Sequence, residues 1–77
     1  MSDEDIVEIT SVLHRAWVVT HVALDEVKAE RDDGSSDWAA FHGERLRSAT
    51  EAELRTRGLR DRYVAENRAV ITKAFGL

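Results

Sequence analysis

Two histidines and an aspartate lie along one side of the N-terminal half and could bind a divalent metal. His21 and Asp25 are one helical turn apart, and His14 lies two turns before His21, so all three share one side of a helix. Imidazole and carboxylate both ligate zinc and related metals, and His42 could approach from a second helix. No further strong ligand stands at a fixed spacing. We therefore predict no metal and no cofactor, with a metal site at His14, His21 and Asp25 as the alternative.

Several arginines are concentrated in the C-terminal half and could contact nucleic-acid phosphates. They are Arg55, Arg57, Arg60, Arg62 and Arg68. A turn at Gly58 would make residues 59–69 the recognition helix of a unit similar to a helix-turn-helix. Acidic residues alternate with these arginines and the chain has a formal net charge of −4, so its attraction to phosphate is weak. Nucleic-acid binding through segment 55–68 is the alternative function.

Two acidic pairs have a spacing superficially similar to the magnesium-binding motifs of helical nucleotide pyrophosphohydrolases. The pairs are Asp5 with Glu8 and Glu30 with Asp33. They lie at opposite ends of one predicted helix, roughly 37 Å apart at 1.5 Å per residue, so one chain cannot bring them together. The sequence also lacks a Ser/His/Asp set, a Gly-rich phosphate loop and a nucleophile elbow. We predict that the protein is not an enzyme.

The element that must position the histidines is segment 3–31, which we predict to be one long helix. Taken alone, the β-branched run Trp17–Val22 would also suit a strand. Its flanks favour helix, because apolar residues recur at spacings of three and four without Gly or Pro. The predicted seam comprises Ile6, Ile9, Leu13, Ala16, Thr20, Ala23 and Val27.

The second half is predicted to return antiparallel after a turn at residues 32–36. This turn contains Gly34, which can adopt a left-handed conformation. We predict helix 2 over about residues 37–57. Gly58 weakens a helix by about 1 kcal/mol, so we expect a bend there and a third helix over about 59–75. One continuous helix is the alternative.

Apolar side chains surround the middle of the first helix more widely than one returning helix can cover. Val12 and Val19 widen the arc on one side of the seam, and Val18 and Val22 lie on its back. A symmetric partner would explain this excess. The predicted self-association interface consists of Val18, Val22, His14, His21 and Trp17.

Composition and charge limit the remaining choices. The 77 residues suffice for one domain, and the chain contains no cysteine. The acidic N-terminus is unlike a secretory signal peptide. No apolar run is long enough to span a membrane, so we expect a cytoplasmic protein without a membrane partner. Residues 1–37 have a net charge of −7 and residues 38–77 a net charge of +3, so the two halves attract each other.

These patterns together predict an all-α antiparallel helical hairpin, with a long first helix, that assembles into an oligomeric helical bundle. The expected function is that of a small homo-oligomeric interaction module. It would act as a homodimer or higher homo-oligomer and as an adaptor, regulator or inhibitor that binds another protein.

Overall fold

The computed structural model describes residues 1–76, which form three α-helices and contain no strand. Helix α1 is Asp3–Ala29, α2 is Trp38–Glu66 and α3 is Arg68–Phe75. The predicted all-α class is therefore confirmed. The molecule is an elongated rod of 54 × 17 × 16 Å in which α2 lies antiparallel beside α1 and the short α3 packs against both.

Helix α1 begins with a capping box. The Ser2 hydroxyl accepts a hydrogen bond from the Asp5 backbone N–H at 3.2 Å, and the Asp5 carboxylate accepts one from the Ser2 N–H at 3.4 Å. Carboxylates in the first turn also complement the positive end of the helix dipole. These local interactions fix the start of the helix that carries most of the apolar surface.

The connection between α1 and α2 is held at both ends. Gly34 has φ 82°, which a residue with a Cβ adopts only at a cost. The Asp33 carboxylate accepts the Ser35 backbone N–H at 2.9 Å, and this bond holds the pKa of Asp33 below its ordinary value. Beyond the loop, Arg45 forms an ion pair with Glu30 and so ties α2 to the end of α1.

The structure corrects the predicted break near Gly58, since α2 continues through this residue to Glu66. The cost of an exposed glycine, about 1 kcal/mol, is smaller than the gain from packing the flanking turns on α1. The break comes instead at Asn67, whose φ of −120° and ψ of 27° leave the helical region. The Tyr63 carbonyl accepts hydrogen bonds from the Asn67 backbone N–H at 3.1 Å and from the Asn67 side-chain amide at 3.0 Å.

The side of α1 that faces α2 is rotated from the predicted seam. Its buried and half-buried residues at spacings of three and four are Ile6, Thr10, Leu13, Trp17, Thr20, Leu24 and Val27. Ala16 and Ala23, which we placed in the seam, are exposed. This rotation buries Leu24 and much of Trp17 in place of two alanines, and larger apolar side chains gain more from burial.

Candidate functional site: a polar seam beside an open apolar strip

The contact between α1 and α2 is centred on a polar seam, which we define as Trp17, Thr20, Glu53, Thr56 and Arg60. Glu53 is only 7% exposed. Its carboxylate accepts a hydrogen bond from the Trp17 indole N–H at 3.1 Å. The Arg57 guanidinium lies 3.4 Å from the same carboxylate oxygen. A buried carboxylate is tolerated here because it has both a hydrogen-bond donor and a positive charge beside it.

The remaining members of the polar seam extend this network on both sides of Trp17. The hydroxyls of Thr20 and Thr56 lie 2.6 Å apart, within hydrogen-bond distance. The Arg60 guanidinium stands 4.3 Å from the Trp17 ring centroid, a cation–π contact. Within residues 1–76, every buried side-chain nitrogen or oxygen has a hydrogen-bond partner. The hydrogen-bonding groups of the polar seam are therefore satisfied within the contact between the two helices, and they are engaged with one another.

A second surface, the open strip, lies about a quarter turn around α1 from the polar seam. It consists of Ile9, Val12, Ala16, Val19 and Ala23 at spacings of three and four. Val19 is 67% exposed and Val12 is 50% exposed, so the middle of this strip is in contact with solvent. Large apolar side chains exposed in a row along a helix are typical of a surface that binds another protein.

Helix α2 adds apolar residues to the same face of the hairpin as the open strip. The contacts of Thr20 with Thr56 and of Glu30 with Arg45 fix the register of the antiparallel pair, and they place Ala16 about level with Leu59. By helical periodicity Ala52 and Leu59 lie on one side of α2, seven residues apart, with Arg45 in the same row. Leu59 is 50% exposed. The two helices therefore present one broad face with an apolar middle.

Four residues of the predicted interface, His14, Val18, His21 and Val22, are exposed along one side of α1, whereas Trp17 is half-buried. Val18 and Val22 are 38% and 46% exposed on the back of α1, as expected. Trp17, however, points towards α2, and the His21 ring stacks on it at 4.8 Å between centroids. His14 also lies against Trp17, at 5.8 Å. The histidines thus cover the edge of the polar seam.

The predicted metal ligands are only partly brought together. The His21 imidazole lies 3.4 Å from the Asp25 carboxylate. His42 does not join them, because its ring nitrogen lies 3.0 Å from the Val27 carbonyl oxygen and its ring stacks on Trp38. Among the described residues there is no group of three or more His, Cys, Asp or Glu side chains that could hold a metal ion.

The arginines of segment 55–68 are distributed around the helix and are largely paired. Arg57 contacts Glu53, Arg60 contacts Asp61 at 3.0 Å, and Arg62 contacts Glu66 at 3.5 Å. Since α2 continues through Gly58, the turn that a helix-turn-helix-like unit would need there is not present. Arg68 lies on α3, beyond the break.

An open groove, distinct from the strip, lies where all three helices meet. Its volume is about 980 Å³, and its apolar lining includes Val64, Ile71 and Phe75. Arg15 and Arg60 also line it, and the Arg60 guanidinium contacts Asp61 and Trp17. The groove belongs to the end of the rod that α3 closes.

Glu53 and Leu59 belong to the candidate site but were not predicted from the sequence. Both lie on α2, where no clean apolar stripe marks the inner side. A signal is nevertheless present, since Leu46, Ala49, Glu53, Thr56 and Arg60 recur at spacings of three and four. Three of these five side chains are polar, so hydrophobicity alone could not identify the inner side.

Comparisons of this chain with protein-family models, with curated proteins and with solved structures find no match. Among the described helices, none combines the length and the apolar character needed to cross a membrane.

Proposed function

We propose that this protein is a small homo-oligomeric interaction module whose open strip is its binding surface. It acts by holding other protein chains, as an adaptor, regulator or inhibitor, and not by catalysis. The exposure of Val19, 67% in the middle of the longest apolar segment, is the observation that carries this proposal.

The cost of leaving this strip in water supports the proposal. Burying apolar surface yields roughly 25 cal/mol per Å², and a fully buried valine or leucine contributes about 1.5–3 kcal/mol. Burying Val12, Val19 and Leu59 against a partner would therefore contribute several kcal/mol to the free energy of association. The saturated polar seam supports the same view, because its polar groups are bonded to one another and offer a ligand few free partners.

A pair of double variants tests which apolar surface mediates association. We expect Val12→Glu with Val19→Glu to reduce the assembly to one chain, because carboxylates would be desolvated in the interface. The matched control is Val18→Glu with Val22→Glu, which places the same charges on the back of α1. Sedimentation velocity measures the mass of each variant, and circular dichroism checks that both remain helical.

The two surfaces give opposite results in this experiment. If only the control pair splits the assembly, self-association occurs through Val18 and Val22, the interface predicted from the sequence. If neither pair changes the mass of an oligomer, neither apolar surface mediates association and the proposal is wrong.

A further inference from the structure

We propose that the open groove between the three helices binds a small amphipathic carboxylate, such as a medium-chain fatty acid, with its apolar tail in the groove and its carboxylate at Arg15. The groove is separate from the open strip, so this inference does not depend on the proposed self-association. Its volume of about 980 Å³ is at the upper end of the range of small-molecule sites, roughly 300–1,000 Å³.

The α1 side of the groove suits an apolar tail because its hydroxyls are already used. The Thr10 hydroxyl donates to the Ile6 carbonyl at 2.7 Å, and the Ser11 hydroxyl donates to the Val7 carbonyl at 3.1 Å. Neither hydroxyl therefore has a hydrogen to donate to a ligand. A hydrocarbon chain can cover this surface without depriving a buried donor of its partner.

The other walls of the groove are apolar and incompletely covered. Ile71 of α3 is buried and Val64 of α2 is half-buried. Phe75, at the end of α3, is 49% exposed. A hydrocarbon tail placed here would remove part of the Phe75 ring from water, which is the main favourable contribution to binding of an apolar group.

The charged side chains of the groove leave one guanidinium without a carboxylate. Among the described residues of α3, only Ile71 and Phe75 line the groove, so its charges come from α1 and α2. On α2, the Arg60 guanidinium donates to the Asp61 carboxylate at 3.1 and 3.0 Å. On α1, Arg15 takes part in no ion pair within residues 1–76.

This excess of positive charge favours an anionic head group. The chain as a whole has a net charge of −4, whereas the groove lining contains two arginines and one aspartate. A guanidinium matches a carboxylate in shape as well as in charge, because it donates two parallel N–H bonds. His14, next to Arg15 in the lining, has a ring nitrogen that can donate a further hydrogen bond.

The length of the groove along α1 determines a suitable probe. Its lining there runs from Thr10 to Arg15, five residues or about 7.5 Å at 1.5 Å per residue. Octanoate has an extended chain of comparable length. Octanol and octylammonium have the same tail with an uncharged and a cationic head, so they are the matched control ligands.

Two-dimensional NMR spectra of the isotope-labelled protein test the proposal residue by residue. We expect octanoate at millimolar concentration to shift the amide signals of Thr10, Ser11 and Ile71 saturably. The signals of Val19 and Ala23, in the open strip, should remain in place. Octanoate should bind at least several-fold more tightly than octanol or octylammonium.

Arg15→Gln removes the guanidinium from an exposed position and should weaken octanoate binding about tenfold or more, as expected for the loss of hydrogen bonds to a charged group. Its effect on octanol should be small. Arg31→Gln, the matched control, removes the same charge from the exposed loop at the other end of the rod and should not change the affinity. Phe75→Ala should weaken octanoate and octanol alike, because it removes part of the apolar wall.

Binding elsewhere, or binding without charge selectivity, would overturn the proposal. Shifts centred on Val19 and Ala23 would place octanoate on the open strip. Equal affinities for the three ligands, or for the unmodified protein and Arg15→Gln, would show that Arg15 does not select a carboxylate. The absence of any saturable shift would show that the groove does not bind this class of ligand. The mass of the assembly tests the proposed function separately.

Discussion

The polar seam and the open strip of α1 reverse the usual placement of polar and apolar side chains. Between the helices lie hydroxyls, a carboxylate and an indole, whereas Val12 and Val19 stand in water. In most amphipathic helices the polar side is the exposed one. We expect the seam to fix how the hairpin closes, and we propose that the strip binds another chain.

The two regions also differ in what they can tolerate. Members of the seam depend on one another, because removing one leaves a buried partner without its hydrogen bond. Strip residues contact solvent in the protomer, so their replacement should alter association while the fold persists. Substitutions in the two regions should therefore separate folding from assembly.

Trp17→Ala should have the largest effect on the free energy of unfolding. It removes a large aromatic side chain at the centre of the seam, which costs about 3–5 kcal/mol, and leaves Glu53 without its indole donor. Urea denaturation followed by circular dichroism measures the loss. Trp17→Phe, the matched control, keeps the ring and should lose less. Equal stability of Trp17→Ala and the unmodified protein would show that the seam does not stabilise the hairpin.

Glu53→Ala should destabilise the protein by about 1–3 kcal/mol, because the Trp17 N–H then lacks an acceptor in a half-buried place. Glu53→Gln keeps an oxygen for the indole and loses only the attraction to Arg57. We expect the glutamine variant to lie between the unmodified protein and Glu53→Ala in thermal denaturation. If the alanine variant is the more stable of the two, the carboxylate has no structural role.

Val19→Thr changes the open strip without changing the shape of the side chain. In the dissociated protomer it should alter the free energy of unfolding by less than about 0.5 kcal/mol, since Val19 is mostly exposed. Association should weaken, because a hydroxyl is then desolvated at the interface. Denaturation and sedimentation at matched concentrations measure the two effects separately. A loss of protomer stability comparable to that of Glu53→Ala would mean that strip and seam are not independent.

The smallest effect concerns pH and lies at the loop end, outside both regions. The hydrogen bond from Arg45 is the main cause that holds the pKa of Glu30 below its ordinary value of 4.5. Stability from this pair is fully present above that value and is lost as the pH falls through the lowered pKa. Glu30→Gln should therefore show a slightly shallower loss of melting temperature below about pH 4.5. An unchanged acid slope would indicate that solvent screens the pair completely.

The sequence predicted the helices more reliably than their orientation. The spacing of apolar residues and the loop at Gly34 were enough for α1, the turn and the antiparallel return. They also predicted an apolar arc too wide for one partner helix. The rotation of α1 was not predicted because Thr10, Thr20 and Glu53 occupy inner positions. A hydrophobicity pattern assigns only apolar side chains to such positions.

The break in the second half was misplaced for a related reason. Gly58 has a low intrinsic helix propensity, and local propensity is the only criterion that the sequence offers there. Tertiary packing of Thr56 and Arg60 on α1 outweighs it, so the helix continues. The actual break comes at Asn67, whose backbone N–H and side-chain amide both donate to the Tyr63 carbonyl.

The most direct test of self-association is the mass of the unmodified protein in solution. Multi-angle light scattering over a dilution series in the micromolar range should give at least twice the mass of one chain, 8.7 kDa, falling towards that value on dilution. A constant mass of 8.7 kDa at every concentration would contradict the claim that the open strip binds a second copy.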